Sequence, residues 1–238
     1  MNNFLRLLAG ELHRLVKYRI LFFGLLVSAI WVLILGLSAP AEAEMLFPLL
    51  VVTDTGMMSI ALLGASFFFE KQESTLKTLL VSPVSLVEVL AAKVIAAIAS
   101  GIVSSILIML AAWIFHGITV NVLAIVFYTV LAVFAHTALG YVIALASRDF
   151  MSFLMKYMGM AVLFMVPLIL VPLELLPGNW IYLGMLSPMY ATDVLIGSLF
   201  EAAEPLRVVI AALWLFIIGG VIYPFVVYPR FRAKAIEG

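Results

Sequence analysis

The 238-residue chain contains no cysteine, so neither a disulfide nor a thiolate metal site is open to it. Charge is scarce. Only 11% of its residues are Asp, Glu, Lys or Arg, where a soluble domain carries about 25%. The 13 basic and 13 acidic residues cancel, so no net positive field recommends a nucleic-acid partner. Two motif absences narrow the chemistry further. There is no G-x-x-x-x-G-K-[ST] loop to cradle nucleotide phosphates and no H-E-x-x-H pair, which removes the simplest routes to ATP hydrolysis and zinc proteolysis within these residues. His116 and His136 have no ligating companions at helical spacing, so no metal site is expected. No catalytic residue stands out either, and the chain does not read as an enzyme.

What it has in abundance is apolar side chains: 66% of the sequence is hydrophobic, against about 45–50% in soluble domains. They fall into six runs, near 20–38, 46–69, 94–115, 122–146, 157–176 and 206–228. Each is close to the ~20 residues a helix needs to cross ~30 Å of hydrocarbon. The expected fold is an all-α membrane protein with six transmembrane helices, one membrane domain over 1–238. Ahead of the first run, at 100° per residue, Leu5, Leu8, Leu12, Leu15 and Val16 share one side while Arg6, His13, Arg14 and Lys17 share the other. That predicts an amphipathic interface helix over 1–18, its basic side toward water and headgroups. The run that follows is long enough to be a retained span rather than a cleaved leader, despite the small residues around Gly36 to Ala39.

Lys and Arg set the orientation. Arg6, Arg14, Lys17 and Arg19 precede span 1; Lys71, Lys77 and Lys93 lie between spans 2 and 3; Arg148 and Lys156 between spans 4 and 5; Arg230, Arg232 and Lys234 end the chain. The other three connections contain none, and Arg207, just inside the last run, is the single discordant basic residue. Positive-inside bias therefore predicts both termini in the cytoplasm, and the membrane expected is a cell membrane, the prokaryotic plasma membrane.

The connection at 177–204 is too apolar for a solvated loop, with Trp180, Tyr182, Leu183, Met185, Leu195 and Phe200 among its residues, and Pro188, Gly184 and Gly197 cut it into pieces too short to span. Two readings stand: half-helices re-entering the outer leaflet against the bundle, because lipid does not tolerate exposed irregular backbone, or an interfacial helix lying flat.

The longest basic connection, 70–93, has its own punctuation. Ser85 followed by Glu88 forms a capping box, so a helix should start there and run through Lys93 into span 3. Upstream, Leu76, Leu79 and Leu80 give a short helix one apolar side, opposite Glu73, Lys77 and Thr78, and Pro83 separates the two helices. Such a helix either floats on headgroups or docks in a groove of a soluble partner.

Phe67 to Lys71 (Phe-Phe-Phe-Glu-Lys), then Glu73, Thr75, Leu76, Leu79, Leu80, Ser82, Pro83 and Lys93, resemble the pattern of ABC-2 type permeases, in which an acidic-basic pair after span 2 leads through E-x-T-L-x-x-L-L-x-x-P to a lysine. The likeness extends to the interface helix, the six spans and Ser187-Pro188 between spans 5 and 6. Within that family the chain looks most similar to small permeases of fluoroquinolone-export type. The resemblance implies the transmembrane subunit of an ATP-driven exporter of multidrug type. It would be paired with a second copy or a paralogue, and it would hold no cofactor itself, ATP and Mg residing on a separate nucleotide-binding subunit. Glu70, Lys71, Glu73, Thr75, Leu76, Leu79, Leu80, Ser82 and Pro83 would couple the two.

Asp54 lies inside span 2 between two threonines, with Ser59 close by. A carboxylate at membrane depth costs at least ~2.5 kcal/mol, so it should face protein or water. It is either a polar point on a substrate route, with Ser59, or a helix-positioning group near the span's outer end. Glu174, between Pro172 and Pro177 at the outer end of span 5, is a further candidate for that route. If Asp54 and Glu174 instead bound ions, the chain would be an ion-coupled secondary transporter. His136 reads as a hydrogen-bonded core histidine.

Overall fold

A computed structural model of the protein describes residues 3–73, 84–171, 173, 175, 181–200 and 203–237. Positions 74–83, which carry Thr75, Leu76, Leu79, Leu80, Ser82 and Pro83, lie outside the described residues, as does Glu174. Among the described residues, six helices are long and apolar enough to cross a membrane: span 1 (Ile20–Leu37), span 2 (Pro40–Gln72), span 3 (Leu86–His116), span 4 (Val122–Leu145), span 5 (Phe150–Leu170) and span 6 (Pro205–Lys234). The protein is a multi-pass, all-α integral membrane protein. An even number of crossings puts the two termini at one end of the bundle, together with the connections that carry Lys and Arg.

Local chemistry explains the boundaries. Ser85 adopts an extended backbone, accepts a bond from the Glu88 amide at 3.2 Å and donates its own amide to Glu88 Oε2 at 2.8 Å, so the expected capping box starts span 3. Gly117, at φ 68°, ends that span in the left-handed conformation that glycine tolerates. Asn121 and Asp149 cap spans 4 and 5 through their side chains. Span 5 begins at Phe150, seven residues before the apolar run, because that cap lets Met151 to Lys156 join the helix.

Spans 2 and 4 form the interior; about half of each is buried, against 22% for spans 1, 5 and 6. Outward-facing Leu33, Trp113, Leu123, Leu163, Phe216 and Phe225 are all more than half exposed, a continuous apolar coat suited to lipid rather than water. Toward the end carrying the termini, Phe67, Phe68, Tyr141, Phe153 and Phe231 pack together. Toward the other end, Phe47, Val51, Ile108, Ile125, Met189 and Ile196 do. Two glycines set how closely these helices approach. A Cβ on Gly64 would lie 2.0 Å from the Phe153 ring, and one on Gly219 would lie 2.3 Å from Phe134.

Between spans 5 and 6 two short helices, Ile181–Gly184 and Pro188–Gly197, are too short to cross a bilayer. The second is not solvated: Met189, Tyr190, Ala191, Thr192, Leu195 and Ile196 are buried. Ser187 caps it and donates to Phe164 O of span 5 at 2.7 Å.

Span 2 is not a regular α-helix throughout. Residues Thr53–Met58 form a π-helical turn. Thr53, Thr55 and Ser59 all donate their hydroxyls to carbonyls four residues back, Thr53 to Leu49 O and Thr55 to Val51 O both at 2.7 Å. Hydroxyls competing for those acceptors loosen the regular ladder and favour the wider turn. A second π turn, Tyr223–Val227, falls in span 6 at Pro224, whose missing amide removes one rung.

Candidate functional site: an ion cluster and a buried carboxylate on one cavity

The N-terminal helix, Asn3–Lys17, is amphipathic as expected, with Leu5, Leu12 and Val16 exposed on its apolar side. Its polar side does not simply face water. Glu11, the lone acid in a basic helix, is 4% exposed and accepts from Lys93 Nζ of span 3 at 3.0 Å. Lys93 also pairs with Glu70 at the end of span 2, which is fully buried. Arg14 completes the group, 2.8 Å from Glu11 and 3.3 Å from Glu70. Arg14 therefore departs from the expected orientation toward headgroups, because two buried carboxylates demand compensation that water cannot supply there.

Ion pairs thus tie the N-terminal helix to Glu70 near the end of span 2 and to Lys93 in the first turns of span 3. Of the predicted coupling residues, Glu70 belongs to this cluster, while Lys71 donates to Arg148 O at 2.8 Å, bridging to the connection between spans 4 and 5. Glu73 is exposed and sits 3.6 Å from Lys17, accepting as well from the Tyr18 hydroxyl. That phenol bond and the Lys17 ammonium hold the Glu73 carboxyl below the usual carboxylate range. Partial burial, reinforced by Glu73, pushes the Tyr18 phenol up to about 12. Arg19, at φ 57°, turns the chain sharply from this helix into span 1.

Asp54 is 4% exposed and sits in the π turn of span 2. Ser28 Oγ of span 1 lies 3.2 Å from Asp54 Oδ1 and 2.9 Å from Ser104 Oγ of span 3, so three helices supply hydroxyl or carboxylate to one point. Behind it, His136 of span 4 is fully buried, bonds Ala132 O at 2.7 Å through Nδ1 and packs on Gly56 of the same π turn. The expectation of a hydrogen-bonded core histidine holds. Ser59 is buried and donates back to Gly56 O at 3.0 Å.

Asp54, Ser59, Glu11 and Lys93 all line one narrow cavity of about 50 Å³ between the N-terminal helix and spans 1 to 4. The structure therefore joins sequence candidates that the sequence kept separate, and adds Glu11, Arg14, Ser28, Ser104 and Tyr141. The available signals for the additions were the single acid among bases in the first helix, and hydroxyls placed at membrane depth in spans 1 and 3. Among the described residues no group of three or more metal-ligating side chains converges.

No curated protein matches the chain. A family model described as ABC-2 type transporter matches residues 4–200, from the N-terminal helix through the short buried helices between spans 5 and 6. The match takes in five spans, the ion cluster and Asp54, and family membership implies embedding in a membrane and pairing with an ABC ATPase. The chain belongs to the ABC-2 type transporter family and is a membrane permease of that superfamily.

Proposed function

We propose that this permease is the transmembrane subunit of an ATP-binding cassette exporter. It carries an amphipathic drug-like or lipid-like substrate, and the energy comes from ATP and Mg on a separate nucleotide-binding subunit. Both termini and the 74–83 connection face the cytoplasm, in line with the placement of Lys and Arg, and the membrane is the prokaryotic plasma membrane. The functional unit contains two permeases, a second copy or a paralogue. The fluoroquinolone-export type is the subtype proposed.

The observation that carries this reading is the ion cluster. Glu70 and Lys93, at the two ends of the connection that would hold the coupling helix, are clamped to one another and to the N-terminal helix. A push on that connection from a soluble partner would reach spans 2 and 3 as a rigid displacement instead of being lost in a slack loop. Leu76, Leu79 and Leu80 form the docking surface, with Thr75, Ser82 and Pro83 shaping it and Lys71 and Glu73 at its rim. Asp54, Ser59 and Glu174 lie along the substrate route, and the short helices between spans 5 and 6 re-enter the outer leaflet and close it.

The test is ATPase activity and assembly of the permease co-purified in nanodiscs with its nucleotide-binding subunit, before and after Leu76→Asp with Leu79→Asp. Release of the ATPase by the double change supports the proposal. If no ATPase associates with the wild-type chain, the ion-coupled secondary transporter using Asp54 and Glu174 takes its place.

A further inference from the structure

The cavity between spans 1, 2, 3 and 4 is too small for a drug or a lipid. Its shape and chemistry fit something smaller. It extends along span 3 from Lys93 to Ser104, eleven residues apart by number, or about 16 Å at ~1.5 Å per residue. Span 3 makes the room by presenting Ala96, Ala97, Ser100 and Gly101 to it, side chains too short to fill the gap toward span 2. At ~10–15 Å³ of such space per water molecule, 50 Å³ accommodates about three to five waters. Spaced ~2.8 Å apart, that number covers most of the distance, with protein hydroxyls between them.

A file of water needs polar partners along its length as well as room. Asp54 and Ser104 stand at one end, Lys93 and Glu11 at the other, with Ser59, Ser66 and Ser100 on the walls between. Tyr141 of span 4 supplies the independent observation. It is 1% exposed, it lines this cavity, and its hydroxyl has no protein partner among the described residues. A buried phenol left unpaired costs about 1–3 kcal/mol. A water in the cavity beside it removes that cost.

We infer that this cavity holds a single file of water joining Asp54 to the Lys93–Glu11 pair, so that Asp54 is hydrated from the end of the bundle that carries both termini. Asp54 is thereby linked to solvent although it is buried at membrane depth.

Hydroxyl-radical footprinting of the full chain in nanodiscs tests this, because radicals born in buried water oxidise the side chains beside them. Tyr141 and Met58 line the cavity; Met189, 1% exposed in the apolar core at the other end, is the dry control. Tyr141 and Met58 are expected to oxidise at least fivefold faster than Met189. Ser100→Leu, which plugs the cavity, should bring Tyr141 down to the control rate, and Ala97→Val, a smaller plug, should lower it part of the way. Equal protection of Tyr141, Met58 and Met189 in the wild-type chain would overturn the inference. The footprint needs no ATPase, so its failure is separate from failure of the exporter reading.

Discussion

Replacing Lys93 by Met should be among the most damaging single changes outside the apolar core. Its ammonium is 8% exposed and 3.0 Å from Glu11. At an effective dielectric of 20, one such contact is worth about 5 kcal/mol of Coulomb attraction, and Lys93 makes a second with Glu70. Desolvating the ions offsets most of that gain, so the net worth of the intact cluster is small. Removal of one partner is a different quantity, because the carboxylates stay buried, Glu11 at 4% and Glu70 at 0% exposure, and both lose their shared ammonium. Uncompensated buried charges of this kind cost about 3–5 kcal/mol. On the scale of about 2–4 °C per kcal/mol for a chain of this size, the thermal midpoint in detergent should fall by roughly 6–20 °C.

Charge balance, rather than the identity of Lys93, is the cause assigned to that loss, and a second substitution separates the two. Adding Glu11→Gln to Lys93→Met removes one of the two carboxylates that lost the ammonium and leaves Arg14 opposite Glu70, which are already 3.3 Å apart. The double variant should recover more than half of the lost midpoint. The reasoning fails if Lys93→Met shifts the midpoint by less than about 2 °C, or if Glu11→Gln deepens the loss, since either result would mean that solvent reaches the cluster and screens it.

Further expectations follow from the same contacts. Gly64→Ala would push a methyl to 2.0 Å from the Phe153 ring, and overpacking of this kind costs about 1–3 kcal/mol; Phe153→Leu added to it should return much of the stability, measured by thermal unfolding. Arg19→Gly relieves a left-handed φ of 57°, so the variant should be more stable by up to about 1 kcal/mol; a destabilised variant would place the value of Arg19 in its charge. Raising pH should loosen the N-terminal helix only in strong alkali. The Tyr18 phenol, raised to about 12, holds its proton when folded while an unfolded tyrosine loses it near 10, so its contribution is intact below pH 10 and is lost as pH climbs through 12. Comparing wild type with Tyr18→Phe by protease sensitivity of residues 3–19 across that range isolates the effect. Acid acts on the partner: the Glu73 contribution is present at neutral pH and is lost as pH falls through its depressed value, below the ordinary carboxylate range.

Much of this architecture was legible in the sequence because lipid enforces simple rules. Six apolar runs became six spans, since backbone in hydrocarbon must bond to itself, and Ser85 with Glu88 gave the start of span 3 to the residue. Asp54 was readable as a group that must face inward. Its neighbours were not, because Ser28 and Ser104 become its partners only through the way spans 1, 2 and 3 pack, and hydroxyls in apolar helices most often bond their own backbone, as Thr55 and Thr137 do here. The same limit applied to the first helix. A helical wheel separates polar from apolar sides correctly, yet it is silent on what each side meets, so Arg14 read as facing water and headgroups when it contacts the buried Glu11 and Glu70. The lysine recognised by its place in a family pattern, Lys93, and the acid recognised at the start of that pattern, Glu70, turn out to be one contact. Twenty-three positions of sequence separate them, and the connection between them must return on itself to bring them together. A pattern that fixes both ends of a loop in one ion pair constrains the loop's base far more tightly than its length would. The ion pair ties spans 2 and 3 together at that base, and these are the two helices that also carry Asp54 and Ser104.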